Sequence, residues 1–191
     1  MVNGSLRSEL RTGRTNAERM SKWIAFDRDG ANYKSPKSFI NELPQECEGV
    51  SYIQQFSSSA GEKPGLRCHI FMQLTSPIYA GILKTYLQHL SLSIATLRST
   101  ISLTKIGVAL KWPLDITVCQ NDKLLYVAPP EYKTSFKGKR IELIKKRVHA
   151  VRINFEHINK ATIDADVKKL INELRATGNL PAKRKLEVTV D

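Results

Sequence analysis

The chain has 191 residues, of which 41% are hydrophobic, so it is long enough and apolar enough for one packed globular domain. Its 30 Lys and Arg residues outnumber 18 Asp and Glu, and the formal net charge of +12 favours a polyanionic partner, with nucleic acid the first candidate. The chain has no apolar stretch near the roughly 18 residues of a membrane span, no apolar N-terminal run typical of a signal peptide, and no C-x2-C pair among its 3 cysteines. We therefore expect a reduced, cytoplasmic protein with no membrane partner, no disulfide framework and no structural zinc site.

The chain begins with a polar, basic stretch that is predicted to form an N-terminal arm over residues 1–22. The apolar run that follows, WIAFDRDG, alternates as a β-strand does, so Asp27 and Asp29 share one face while Arg28 points to the other. Two neighbouring carboxylates repel each other, and hard divalent cations such as Mg2+ prefer carboxylate oxygens. The pair therefore indicates either a metal site or an ordinary turn before Gly30, where Asp and Gly are both common.

Further along the chain, strand-like and helix-like patterns alternate. Alternating apolar and polar residues predict strands at 50–56, 66–74, 113–120 and 123–130. Apolar residues at helical spacing predict helices at 35–44, 78–97, 138–151 and 161–178. Ser35 is the expected N-cap of the first helix, with Pro36 at its first position, and Gly178 is the expected C-cap of the last. Strands interleaved with helices in one domain indicate an α/β or α+β two-layer fold.

Two later strands also carry polar residues opposite their apolar face. In LRCHIFMQL these are Arg67 and His69, and in PLDITVCQ the residue is Asp115. Each has a plain structural interpretation, since His69 fits a partly buried histidine and Asp115 fits a cap or a partner of Lys111. With the first-strand carboxylates, however, they supply both parts that polymerising phosphoryl transfer needs. Carboxylates hold two divalent ions about 4 Å apart, and cationic groups bind the phosphates.

Three motifs follow one another between residues 23 and 132. They are the D-x-D in IAFDRDG, the strand-borne histidine after a serine-rich loop in FSSSAGEKPGLRCHIFMQL, and the hydrophobic-Asp pair in WPLDITVCQNDKLLYVAPPEY. With these motifs the chain resembles the archaeo-eukaryotic primase superfamily, particularly the primase-polymerase domains of plasmids, phages and other mobile elements. The resemblance implies a catalytic core at 23–132 with an RRM-like antiparallel or mixed sheet packed on helices, and a helical C-terminal extension of the same domain at 133–191.

The resemblance also implies a function, that of a DNA primase or primase-polymerase, a template-dependent nucleotidyltransferase of mobile-element DNA replication. Asp27, Asp29 and Asp115 would bind Mg2+ or Mn2+, and His69 would contact the phosphates of a nucleoside triphosphate. Arg67 stands where the family usually has a small residue, but its planar fork suits a phosphate. The serine-rich loop adds further candidate nucleotide contacts, Ser57, Ser59 and Lys63.

The implied partners are a single-stranded DNA template, nucleoside triphosphates, and a replicative helicase or initiator protein. Lys145, Lys146 and Arg147 are candidate nucleic-acid contacts or, alternatively, the solvated face of a helix. Arg28 departs from the family pattern, which commonly has an apolar residue there, and we expect it to face the core or to extend outward along its stem. That departure favours the alternative function of a non-catalytic single-stranded-DNA or origin-binding module of a replication initiator on a degenerate primase scaffold.

Overall fold

The computed structural model describes residues 20–30, 33–120 and 140–178. Its strands are Met20–Gly30 (β1), Tyr52–Phe56 (β2), Leu66–Tyr79 (β3), Ser102–Leu103 (β4), Leu110–Lys111 (β5), Ile141–Ile144 (β6) and Ala150–Val151 (β7). Its helices are Pro36–Ile40 (α1), Ala80–Ser93 (α2), Ala95–Arg98 (α3) and Lys160–Thr177 (α4), with a 3-10 turn at Gln45–Cys47. None of the helices in these ranges combines the length and apolar character needed to cross a membrane.

The main sheet has the strand order β1-β3-β2-β6, with antiparallel neighbours, and β7 pairs with β3 in parallel. β1 runs along β3 from Met20 opposite Tyr79 to Gly30 opposite Leu66, with one register shift between Ser21 and Trp23. A second, two-stranded sheet joins β4 and β5. Helices and an antiparallel sheet make this an α+β fold, which confirms the predicted two-layer class, while a primase-like core stays a prediction.

The core forms on one face of the main sheet because the strands alternate as predicted. Five apolar side chains of β3 lie on this face and are buried: Leu66, Cys68, Ile70, Met72 and Leu74. Helix α2 packs Leu83, Leu87 and Leu90 into the same cluster. Each fully buried aliphatic side chain contributes about 1.5–3 kcal/mol relative to an exposed one. The side chains that alternate with this core, Arg67 and His69 among them, lie on the opposite face of the sheet.

Most predicted elements outside the C-terminal third are confirmed. The first helix begins as predicted, with the Ser35 hydroxyl accepting a hydrogen bond from the Ser38 amide and Pro36 in the first turn. The single long helix expected at 78–97 is confirmed only in part, since β3 continues to Tyr79 and an extended Ile94 separates α2 from α3. The last helix, α4, ends at the predicted C-cap, Gly178. The strand predicted at 123–130 lies outside the described residues, as does the predicted arm up to position 19.

The helix predicted at 138–151 is wrong, because this segment forms the strands β6 and β7. The sequence IELI satisfies a strand period as well as a helical one. The open edge of β2 offers backbone partners, and Ile141–Ile144 pairs along it from Gln55 to Tyr52. The segment 133–191 is therefore not a purely helical extension, since part of it completes the main sheet.

The strand predicted at 113–120 is wrong beyond Leu114, which forms a single antiparallel bridge with Arg28. The carboxylate of Asp115 accepts hydrogen bonds from the amide of Thr117 at 2.8 Å and from its hydroxyl at 2.6 Å. An Asp side chain that captures the amide two residues later closes a turn and competes with the strand. The chain therefore turns at 116–119 instead of continuing along β1.

Candidate functional site

The two aspartates of the D-x-D meet Arg67 and His69 of β3 on the open face of the main sheet. β1 and β3 place Asp27 opposite His69 and Asp29 opposite Arg67. The imidazole Nε2 of His69 lies 3.4 Å from Oδ1 of Asp27, and Nη1 of Arg67 donates to Oδ2 of Asp29 at 2.9 Å. The predicted alternation thus brings these residues together as two neighbouring pairs.

Asp115 joins this group from the other side of β1. Its amide donates to the carbonyl oxygen of Asp27 at 3.2 Å, next to the bridge between Leu114 and Arg28. Leu114 is fully buried on the core side, so alternation turns Asp115 to the face that carries Asp27. Asp27 therefore lies between His69 on one side and Asp115 on the other.

The environment of His69 favours its protonated form. Burial alone lowers the pKa of His69, but the hydrogen bond with Asp27 and the charges of Asp27, Asp29 and Asp115 outweigh it, so the pKa is raised above its ordinary value. The second ring nitrogen, Nδ1, lies 3.4 Å from the amide oxygen of the buried Gln55. The surrounding carboxylates thus favour the protonated form of His69, in which both ring nitrogens are donors.

Arg28 faces the core, which confirms the first of the two predicted alternatives, and does not extend outward. The guanidinium is buried, and its Nη1 donates to the carbonyl oxygens of Asp29 and Pro113, each at 3.1 Å. Its Cζ lies 5.4 Å from the ring centroid of Tyr33, and burial lowers the pKa of Arg28. From beneath the sheet, Arg28 thus links the end of β1 to the segment that carries Asp115.

Gly30 packs directly against this guanidinium. A Cβ at position 30 would lie 2.6 Å from Nη2 and 2.7 Å from Cζ of Arg28, closer than real Cβ contacts come. The glycine after the D-x-D therefore makes room for the buried Arg28. An ordinary turn would not explain why a glycine is needed there.

The loop between β2 and β3 brings two of its predicted residues to the pair of Arg67 and Asp29, which we call the outer pair; His69 and Asp27 are the inner pair. The amide of Ser57 donates to the carbonyl oxygen of Arg67 at 3.0 Å, and Nη1 of Arg67 lies 3.5 Å from the hydroxyl of Ser59. Lys63 is exposed further along the same loop. Arg140 also reaches this loop, since its Nη1 donates to the carbonyl oxygen of Ser57 at 3.0 Å. The sequence interpretation missed Arg140 because it assigned the segment to a helix.

The predicted nucleic-acid contacts Lys145, Lys146 and Arg147 do not lie on a helix. All three are exposed in the connection that follows β6, and the amide of Lys146 donates to the hydroxyl of Ser51 at 2.9 Å. They therefore form a cationic cluster at the edge of the main sheet, apart from the carboxylates.

The donor set has the chemistry that Mg2+ or Mn2+ prefers, since Asp27, Asp29 and Asp115 offer only oxygen ligands. As the side chains stand, however, no group of three or more His, Cys, Asp or Glu within the described ranges could hold a metal ion. Each carboxylate contacts a different partner, namely His69, Arg67 and Thr117 in turn. To bind a metal ion, the carboxylates would have to leave these partners for the ion. The metal site therefore stays a prediction.

Comparisons of the chain with protein-family models, with curated proteins and with solved structures find no match.

Proposed function

We propose that the protein is a template-dependent nucleotidyltransferase, a DNA primase or primase-polymerase of a mobile-element replication system. One observation supports this best: Asp115, Asp27 and His69 are neighbours on one open sheet face, with Asp29 and Arg67 beside them. Carboxylates next to cations on an accessible surface are the combination that nucleotidyl transfer needs.

In this proposal Asp27, Asp29 and Asp115 hold Mg2+ or Mn2+. Bound ions of this kind supply activation of a 3′-hydroxyl and neutralisation of the triphosphate charge. His69 in its protonated form donates a hydrogen bond to a phosphate, and Arg67 offers a planar fork of N–H donors to the same group. Ser57, Ser59 and Lys63 extend the phosphate site along the loop.

The two ion pairs suggest how substrate and carboxylates are coupled. Arg67 forms an ion pair with Asp29, and His69 forms one with Asp27 when its imidazole is protonated. A triphosphate that takes over both cations leaves the two carboxylates available as ligands. Binding of the nucleotide and assembly of the oxygen donor set would then support each other.

A primer-synthesis and primer-extension assay tests this function. The protein is incubated with single-stranded templates, Mg2+ or Mn2+, and ribo- or deoxynucleotides supplied separately. We expect incorporation by the wild type and loss in Asp115→Asn, whose amide oxygen can still accept from Thr117. Asp164→Asn is the matched control, because Asp164 pairs with Lys160 on α4. Absence of incorporation with every combination of metal and nucleotide would contradict the proposal.

A second candidate is a non-catalytic single-stranded-DNA or origin-binding module on a degenerate primase scaffold. It is favoured by the pairing of Asp27 and Asp29 with cations of the chain and by the lack of a metal-binding group in the described ranges. A calorimetric Mn2+ titration separates the two candidates. Binding that Asp27→Asn abolishes supports the enzyme, whereas DNA binding without metal binding supports the module.

A further inference from the structure

The open face of the main sheet continues beyond the carboxylates as an apolar row. Ala25, Phe71, Ile53 and Leu143 are cross-strand neighbours from β1 through β3 and β2 to β6. Trp23, two residues before Ala25 on β1, meets Phe71 edge to face at a centroid distance of 5.9 Å and an angle of 60°. We call Trp23, Phe71, Ile53 and Leu143 the aromatic strip.

The aromatic strip is accessible although it is apolar. Trp23 is 39% exposed, Ile53 41% and Leu143 55%, while Phe71 is half-buried and Ala25 of the same row is fully buried. An antiparallel sheet that covers a core with one face normally presents polar side chains on the other. Adjacent exposed apolar residues on that face therefore indicate a binding surface rather than scattered surface residues.

The aromatic strip lies immediately beside the candidate site. Phe71 and His69 are two residues apart on β3, and their ring centroids are 6.0 Å apart. On β1 the same spacing separates Ala25 from Asp27. A flat ligand on Phe71 would consequently border the row of Asp27 and His69.

The positive charge next to the aromatic strip indicates which class of ligand the strip would bind. β6 carries Leu143 of the strip and leads at once into the exposed cationic cluster of Lys145, Lys146 and Arg147. An apolar aromatic surface with a cationic edge matches a chain that alternates flat bases with phosphates. Only an unpaired strand exposes the faces of its bases, because a duplex buries them in the stack.

We propose that the aromatic strip binds single-stranded nucleic acid by base stacking and leads the strand past Asp27 and His69, while the cluster at 145–147 contacts its phosphates. This inference deepens the proposed function and rests on it for the role of the strand as template. Stacking is measured without metal ions or nucleoside triphosphates, so a failed binding test and a failed activity test can be told apart.

The first experiment uses Trp23 as its own reporter. The chain contains 2 tryptophans, so in a Trp112→Phe background Trp23 is the single tryptophan and, with excitation selective for tryptophan, the single reporter. A thymidine oligonucleotide should quench this fluorescence on binding, whereas an abasic strand of equal length and charge should bind about tenfold more weakly or worse and leave it unquenched. Equal affinity for both strands without quenching overturns the proposal.

The second experiment uses the native background. Trp23→Leu and Phe71→Leu keep apolar bulk but remove the ring faces, and each should lower affinity for the oligonucleotide by about 5- to 100-fold at every salt concentration. Replacing Lys145, Lys146 and Arg147 with Ala should instead flatten the dependence of log affinity on log salt. Ile106→Ala, at a residue 82% exposed outside the strip, is the control and should change neither.

Two results would count against the strip as a strand-binding surface. Unchanged affinity in Trp23→Leu and Phe71→Leu, with thermal unfolding like that of the wild type, overturns it. Sedimentation that shows a dimer, which Trp23→Leu converts to monomers without loss of DNA affinity, would assign the strip to a second copy of the chain instead. Failure of primer synthesis alone would contradict the proposed enzyme and leave the stacking result standing.

Discussion

The two ion pairs of the candidate site are formed by the same two strands, yet their surroundings differ. Asp29 of the outer pair is 54% exposed at the end of β1, whereas Asp27 of the inner pair is 23% exposed. The inner pair has Asp115 beside it and contains a titratable cation, His69, while the outer cation, Arg67, stays charged at any ordinary pH. If the proposed function holds, we expect the inner pair to be its chemical centre and the outer pair, with Asp29 exposed and Arg67 18% exposed, to flank it.

The largest difference between the pairs is expected in catalysis. A metal site supplies several kcal/mol of charge stabilisation, and about 4 kcal/mol corresponds to roughly a thousandfold in rate. We expect Asp27→Asn to lower nucleotide incorporation by about that factor and Asp29→Asn to lower it less. Single-turnover primer extension measures both. Equal losses would remove the distinction between the inner and outer carboxylate.

The next test concerns Arg28, which lies between the two aspartates on the opposite face. Arg28→Met removes hydrogen bonds to two carbonyl oxygens but also removes a buried charge, and these effects oppose each other. We expect the free energy of unfolding to fall by only about 1–2 kcal/mol, while incorporation falls more than about tenfold because the segment of Asp115 is no longer held. Urea denaturation and primer extension decide this, and unchanged incorporation would make Arg28 purely structural.

A pH series separates the pairs by their cations. The folded-state pKa of His69 is raised above its ordinary value of 6.5, so its contribution to stability is complete below that pH and is lost as pH rises through the folded-state value. In metal-free buffer, the stability difference between wild type and His69→Gln should therefore shrink with rising pH. The difference between wild type and Arg67→Gln should stay flat, because a guanidinium does not titrate there. A flat His69 profile would contradict the inner pairing.

The smallest effect is expected for the outer pair itself. Exposed ion pairs contribute about 0–1 kcal/mol and weaken with salt. A double-mutant cycle with Asp29→Asn and Arg67→Gln should give a coupling energy in that range, measured by urea denaturation at low and high salt. A coupling well above it at high salt would mean that the outer pair is less solvated than its exposure suggests.

The outward face of the site could be predicted from sequence because it depends on local alternation. Asp27, Asp29, Arg67 and His69 lie opposite core-facing sets that are apolar apart from Arg28, and a period of two leaves only one face for them. Asp115 reached the same face although its predicted strand was wrong, because one bridge at Leu114 suffices to orient it.

The parts that sequence could not predict depend on distant partners. The segment at 138–151 fits a helical period and a strand period equally well. It forms a strand because the edge of β2 is available for pairing. Arg28 is buried because the carbonyl oxygen of Pro113 and the ring of Tyr33 are available to it. The alternation of β1 points Arg28 toward the core, but no local pattern around either segment contains these distant partners.

The pairing of β2 with β6 has a consequence for how the protein is made. β2 ends at Phe56, but its partner begins only at Ile141. At synthesis rates of about 5–20 residues per second, the nascent chain carries this strand for on the order of 10 s before its partner leaves the ribosome. During that interval the backbone edge of β2 is open to other chains, with the apolar Ile53 beside it, which is the geometry that favours intermolecular strand pairing.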